Sequence, residues 1–346
     1  MKEMATRRSQ PRALTLEGVG IFVLRFQSYF GLIAIILISA LLSPVRNGNN
    51  IFLTPTNLLN IVRFASENGI IAVGMTFVIL IAGIDLSVGA VLALCAVGAA
   101  SALMHMGWST APTVLLTLGI GLSAGLVSGV VTTRLNLQSF ITTLAMLSVA
   151  RGAASLWSDG YAIPLAFGSS EGMAPPLFKS LFGGEVTVFG LGIPVQIFYL
   201  VGVGIIANFI LKNTGFGRHI YAIGGNETAA RLSGVNVNRT KVIIFGISGL
   251  LAGLAALLHA ALVSQGSHID GNGYELNAIA AVVIGGTLLS GGAGTVVGSI
   301  IGAIILSILD NILGLRNISS EYQLILKGVI IVLAVVLQRQ RKASSI

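Results

Sequence analysis

The chain has 346 residues, of which 54% are hydrophobic and 9% charged, with a mean hydropathy of +0.92 and a net charge of +8. A soluble domain carries roughly 25% charged residues, so disorder, a nucleic-acid binder and an ordinary soluble enzyme are excluded. Apolar stretches of span length recur from Phe22 to Leu337, and the basic residues fall between or outside them, a pattern of membrane topology.

The first twenty residues are polar and basic, with Lys2, Arg7, Arg8 and Arg12. The apolar stretch after them is long and lacks a small-residue cleavage pattern, which predicts an uncleaved first span. A bilayer core takes about 20 apolar helical residues. On that measure ten candidate spans follow in chain order: 22–43, 58–82, 86–106, 112–133, 139–157, 192–211, 242–263, 276–291, 294–314 and 321–338. The eighth and ninth are short and Gly-interrupted, as a re-entrant pair would be. An inside N-terminus puts residues 1–21, 83–85, 134–138, 212–241, 292–293 and 339–346 inside, and these hold 13 of the 20 Lys and Arg. The outside loops hold Arg46, Lys179 and Arg316. The bias toward the inside predicts two cytoplasmic termini. The expected fold is therefore all-α: a polytopic transmembrane bundle of about ten spans with broken or re-entrant segments. Its parts are a cytoplasmic segment 1–21, a membrane domain 22–338 and a cytoplasmic tail 339–346. Within the domain, loop 158–191 lies outside and loop 212–241 inside.

Two places interrupt the helical pattern: Gly83-Ile84-Asp85-Leu86-Ser87-Val88-Gly89 and the run Gly285 to Gly294. Irregular backbone is tolerated in a membrane only where protein or a water-filled cavity covers it, and paired broken segments point to a transport pathway; the alternative is a plain interhelical turn. Asn68-Gly-Ile-Ile-Ala-Val before the first break is echoed by Asn277-Ala-Ile-Ala-Ala-Val before the second. Glycines at four-residue spacing (Gly121, Gly125, Gly129; Gly249, Gly253; Gly294, Gly298, Gly302) predict close packing of helices within the subunit, with a dimer contact as the other use. Ionisable residues inside spans need partners. Arg63 and Glu67, four apart, are expected to neutralise each other; Asp310 and Lys327 are expected to pair between adjacent spans; Arg151 is expected near the interface.

The chain lacks a phosphate-binding G-x-x-x-x-G-K-[ST] loop, an H-E-x-x-H motif and a Cys/His cluster. Neither a catalytic residue nor a metal or other cofactor is expected. In the inside segment 212–241, Asn226 is a helix N-cap, Glu227 to Ser233 give two turns and Gly234 closes them. Glu227 and Arg231 are spaced to pair along one face. This short helix is either a solvated connector or a docking knob for a soluble partner.

Several motifs together carry a family resemblance. They are Ala72-Val73-Gly74-Met75-Thr76 leading into Gly83–Gly89; Phe140-Ile141-Thr142-Thr143-Leu144 with Arg151-Gly152; Thr214-Gly215-Phe216-Gly217-Arg218 with Gly224-Gly225-Asn226; and Ala280–Gly286 with Gly291-Gly292. From about residue 55 onward the chain resembles the permease subunits of bacterial ribose-type monosaccharide importers of the ATP-binding-cassette class. The resemblance implies a multi-pass protein of the bacterial inner membrane. It further implies a channel formed with a second permease copy or paralogue, cytoplasmic ATPase subunits that drive it, and a periplasmic sugar-binding protein that delivers the cargo. Under it, Asn68, Asp85 and Ser87 line or shape the pathway, with Phe140, Thr142 and Thr143 adding a face. Gly217, Arg218, Asn226, Glu227, Ala229, Ala230, Arg231 and Ser233 belong to the segment coupled to the ATPase. The rival readings are an ion-coupled secondary transporter, with Asp85 or Glu67 as the ion site, and a structural membrane subunit.

Overall fold

The computed structural model describes residues 27–330 and 332. Its principal helices, in order, are α1 (Gln27–Leu42), α2 (Pro55–Leu80), α3 (Val88–Met104), α4 (Thr110–Arg134), α5 (Ser139–Trp157), α6 (Pro176–Gly183), α7 (Val195–Asn213), α8 (Gly215–Gly225), α9 (Glu227–Leu232), α10 (Val237–Val263), α11 (Tyr274–Ile284) and α12 (Val296–Leu315). A further helical stretch occupies 320–330. Among the described residues, α2, α4, α5, α7, α10 and α12 are long and apolar enough to cross a bilayer, while α1, α3 and α11 are shorter apolar helices. The segments 1–21 and 339–346 lie outside the described residues.

The centre of the bundle is α2, α3 and α10. Almost every residue of α3 from Val88 to Leu103 is buried, as is α2 from Gly69 to Leu80. By contrast α5 buries only Thr142, Thr143, Ala150 and Ala154. Its outward residues, and those of α7, are apolar, with Val149 and Ile205 exposed. That arrangement suits a bilayer, where apolar side chains face lipid.

Small residues set the helix spacing. A Cβ placed on Gly121 of α4 would stand 2.3 Å from the carbonyl of Gly249 on α10, and one on Gly249 would stand 2.1 Å from the Gly121 carbonyl. The α11–α12 contact repeats this between Gly285 and Gly298. The glycine stripes are thus used for packing within the subunit, in which backbones touch because nothing but hydrogen separates them.

The short α11 has a structural cause. After α10 the chain does not stay at the bundle end. Gly266 lies against Ala96 and Gly271 against Gly89, so residues 266–271 run down beside α3 before α11 starts. Its 11 residues rise about 16 Å, roughly half a bilayer core. The same bundle end carries the antiparallel hairpin of β2 (Glu185–Val188) and β3 (Leu191–Pro194), and a two-residue pairing between β1 (Ile163–Pro164) and β4 (Gln265–Gly266). The opposite end carries α8 and α9.

Candidate functional site: a joint between two helix breaks

The first break follows Leu80. Ala82 adopts φ 57° and the Gly83 N–H turns back to the Val78 carbonyl at 2.9 Å, which stops α2. Residues 83–87 then run without helical bonds, so their polar groups need outside partners. The first turn of α5 supplies them. The Ser139 hydroxyl accepts from the Ile84 N–H at 3.1 Å. The Thr143 hydroxyl accepts from the Leu86 N–H at 3.1 Å and lies 3.1 Å from the Ile84 carbonyl.

Asp85 is 2% exposed. One carboxylate oxygen accepts from the Ser87 N–H at 3.0 Å and the Ser87 hydroxyl at 2.6 Å; the other accepts from the Ser248 hydroxyl of α10 at 2.8 Å. Asp85 and Ser87 therefore act as a strut between the break and α10, and Ser87 spends its hydroxyl there instead of capping α3. The expected pathway residues do not form one group. Phe140 is exposed at the edge of the break, Thr142 is buried with a hydroxyl that has no partner among the described residues, and Asn68 sits 12 residues before Leu80, about 18 Å up α2.

The second break spans residues 285–295, with positive φ at Gly286, Gly291 and Gly292. It ends where the Thr295 hydroxyl caps α12 by accepting from the Gly298 N–H at 3.1 Å. The two breaks meet: the Gly292 N–H donates to the Leu80 carbonyl at 2.9 Å. The third partner is α8. A Cβ on Gly224 would stand 1.8 Å from the Leu80 oxygen and 2.4 Å from the Gly292 nitrogen. The Tyr221 hydroxyl donates to the Gly294 carbonyl at 2.9 Å.

Around this joint the α8–α9 segment follows its local signals. Thr214 caps α8 and Asn226 caps α9, accepting from Gly217 N–H at 3.1 Å and Ala229 N–H at 3.0 Å. Glu227 receives Arg231 at 3.1 Å, as its spacing predicts, and also Lys241 of α10 at 2.7 Å. Partial burial alone would raise the Glu227 pKa; the hydrogen bonds and charges of Lys241 and Arg231 outweigh it and hold the carboxyl below its ordinary range. Two coupling residues prove to be internal. Gly217 is buried against the Leu211 carbonyl, and Ala230 is 5% exposed against the bundle. The exposed face is made by Arg218, Ala229, Arg231, Leu232 and Ser233, with Leu232 at 85%.

At the hairpin end, the expected Arg63–Glu67 pair does not form. Arg63 pairs with Glu185 of the hairpin, and Glu67, 2% exposed, lies 3.0 Å from Nδ1 of His259 on α10. An i,i+4 pair contributes only about 0.2–0.5 kcal/mol. A carboxylate this deep requires a partner at the same depth, and α10 provides it. Nε2 of His259 lies 3.6 Å from Asp270, whose other oxygen accepts from the Ser267 N–H at 2.8 Å. Arg151 holds the same segment through the carbonyls of His268 and Asp270. The sequence reading missed His259, although an imidazole inside an apolar span was itself a signal. Asp310 and Lys327 do pair, at 2.9 Å.

Comparison with known proteins agrees with this architecture. The family profile described as "Branched-chain amino acid transport system / permease component" matches residues 57–335. The ribose import permease protein of Haemophilus influenzae is 45% identical over 319 residues, covering 92% of this chain and 94% of its own. The xylose transport system permease protein of the same organism is 33% identical over 365 residues, covering 91% and 97%. A solved metal-chelate type ABC transporter in an inward-facing conformation superposes with a TM-score of 0.53 over 91% of this chain and 99% of its own; at 14% identity it speaks to the fold alone.

Proposed function

The chain belongs to the branched-chain amino acid transport system / permease component family, and from that premise we propose that a pentose, D-ribose first, is what it carries. It is the membrane-spanning permease subunit of a sugar importer of the ATP-binding-cassette class. The observation that carries the choice of sugar over amino acid is the 45% identity to a ribose import permease across 92% of the chain, with a xylose permease at 33%. Phosphate-loop chemistry is assigned to a separate ATPase subunit, since the chain has no such motif. A second permease copy or paralogue completes the channel, a periplasmic binding protein delivers the sugar, and the bacterial inner membrane holds the assembly. Both termini are cytoplasmic in this reading, supported by the basic-residue bias.

In this mechanism the ATPase docks on the exposed face of α8 and α9. Glu227 ties α9 to α10, and Gly224 bears on Leu80 and Gly292, so one displacement reaches both breaks together. Asp85 and Ser87 keep the first break in register with α10. The Asn68 side-chain oxygen and the Thr142 hydroxyl, without partners among the described residues, suit a passing polyol. The test is reconstitution with the ATPase and binding protein of the same operon in proteoliposomes. ATP-dependent accumulation of labelled D-ribose is expected. A second reading, ion-coupled transport, draws on the buried Glu67–His259–Asp270 cluster; uptake that ignores ATP and follows a proton or sodium gradient would replace the first reading with it.

A further inference from the structure

We infer that this subunit holds, beside the joint of the two breaks, a cytoplasm-facing binding site for a neutral cyclic polyol, occupied by the cargo as it leaves. The naming of the occupant rests on the sugar-importer reading; the site itself rests on its geometry. A cavity of about 500 Å³ lies between residues 81–84 of the first break, the α4–α5 turn, and Glu227, Lys241 and Phe245. That is the size of an ordinary small-ligand pocket. Its wall carries uncharged hydrogen-bonding groups: Thr132, Asn136, Gln138 and Ser139. The Gln138 side chain precedes α5 but makes no cap bond, which leaves its amide for a ligand. Thr132 is buried, and its hydroxyl is unpartnered among the described residues.

The charge balance selects the ligand class. The two charged groups in the lining, Glu227 and Lys241, pair with each other at 2.7 Å. An ionic ligand would have to disrupt that pair, whereas a neutral polyol adds hydrogen bonds without doing so. The exposed ring of Phe140 supplies an apolar surface for the C–H face of a sugar ring. Because Glu227 also anchors α9, the site stands where its occupancy is felt by the coupling segment.

The test is thiol protection in the reconstituted complex. The single native cysteine, Cys95, is fully buried, so Gln138→Cys offers the accessible thiol of the permease. D-ribose at saturation is expected to slow maleimide labelling of Gln138→Cys roughly tenfold, and Thr132→Val or Asn136→Ala to raise the half-protecting concentration by about the same factor. A control thiol at Ser109→Cys, exposed in the turn at the far end of α3 from the breaks, should label at one rate with or without sugar. Labelling of Gln138→Cys that ignores ribose, in a complex that still imports ribose, overturns the site and leaves the transport reading standing. Protection in a complex that imports no ribose keeps the site and overturns the cargo. Protection by phosphatidylinositol vesicles alone, with none from ribose in phosphatidylcholine, assigns the cavity to a lipid headgroup and overturns the inference.

Discussion

The carbonyl oxygen of Leu80 and the amide of Gly292 are joined by a 2.9 Å hydrogen bond that fastens one helix break to the other. Gly224 packs onto the same bond. Any force on α8 therefore arrives at both breaks through main-chain atoms, which yield less than side chains.

This contact leaves no room for a methyl group. Gly224→Ala puts a carbon where the Leu80 oxygen stands 1.8 Å away. Overpacking of this kind costs about 1–3 kcal/mol. The expected outcome is a lowered Tm of the purified permease and fewer sugars moved per ATP. Unchanged values for both would remove Gly224 from the joint.

Glu67 and Arg63 are expected to behave very differently, although one helical turn separates them. A buried polar group left without its partner costs about 1–3 kcal/mol, and Glu67 faces His259 in the interior. Arg63 pairs with the half-exposed Glu185, a class of contact worth about 0–1 kcal/mol. Thermal unfolding in detergent of Glu67→Ala and Arg63→Ala checks this. Equal destabilisation would restore the local Arg63–Glu67 pair.

Ala230 is buried, so Ala230→Trp should destabilise the fold instead of acting only at a partner surface. Leu232→Asp is the cleaner probe. At 85% exposure it should leave Tm unchanged within about 0.5 kcal/mol of stability. Pull-down of the ATPase subunit should fall sharply. Retained pull-down would make α9 a connector.

The Asp85 strut predicts coupling between two spans. Asp85→Leu strands the Ser87 and Ser248 hydroxyls, and a buried polar group left unpaired costs about 1–3 kcal/mol. Ser248→Ala alone should cost less. A double-mutant cycle should show an interaction of about 0.5–3 kcal/mol between Asp85 and Ser248. Strict additivity would mean that the 2.8 Å contact contributes nothing.

Short-range chemistry made much of this protein legible from its residues alone. Apolar runs marked where the span helices lie, glycine clusters marked both breaks, and Asn226 with Gly234 bounded α9 and its Glu227–Arg231 pair. Each of these signals acts within a few turns of chain, through hydrogen bonds and side-chain spacing that need no tertiary partner. The tertiary structure decided what long-range neighbours supply. Glu67 turns from Arg63 to His259 because a buried carboxylate takes its partner from whichever helix packs at its depth. Ala230 and Gly217 look like surface residues of a loop until the bundle closes over them. The bond between Leu80 and Gly292, with Gly224 against it, unites three glycine-bearing motifs that are far apart in the chain. Periodicity shows that each can approach a backbone, and only the packing of α2, α8 and α12 determines that they approach one another.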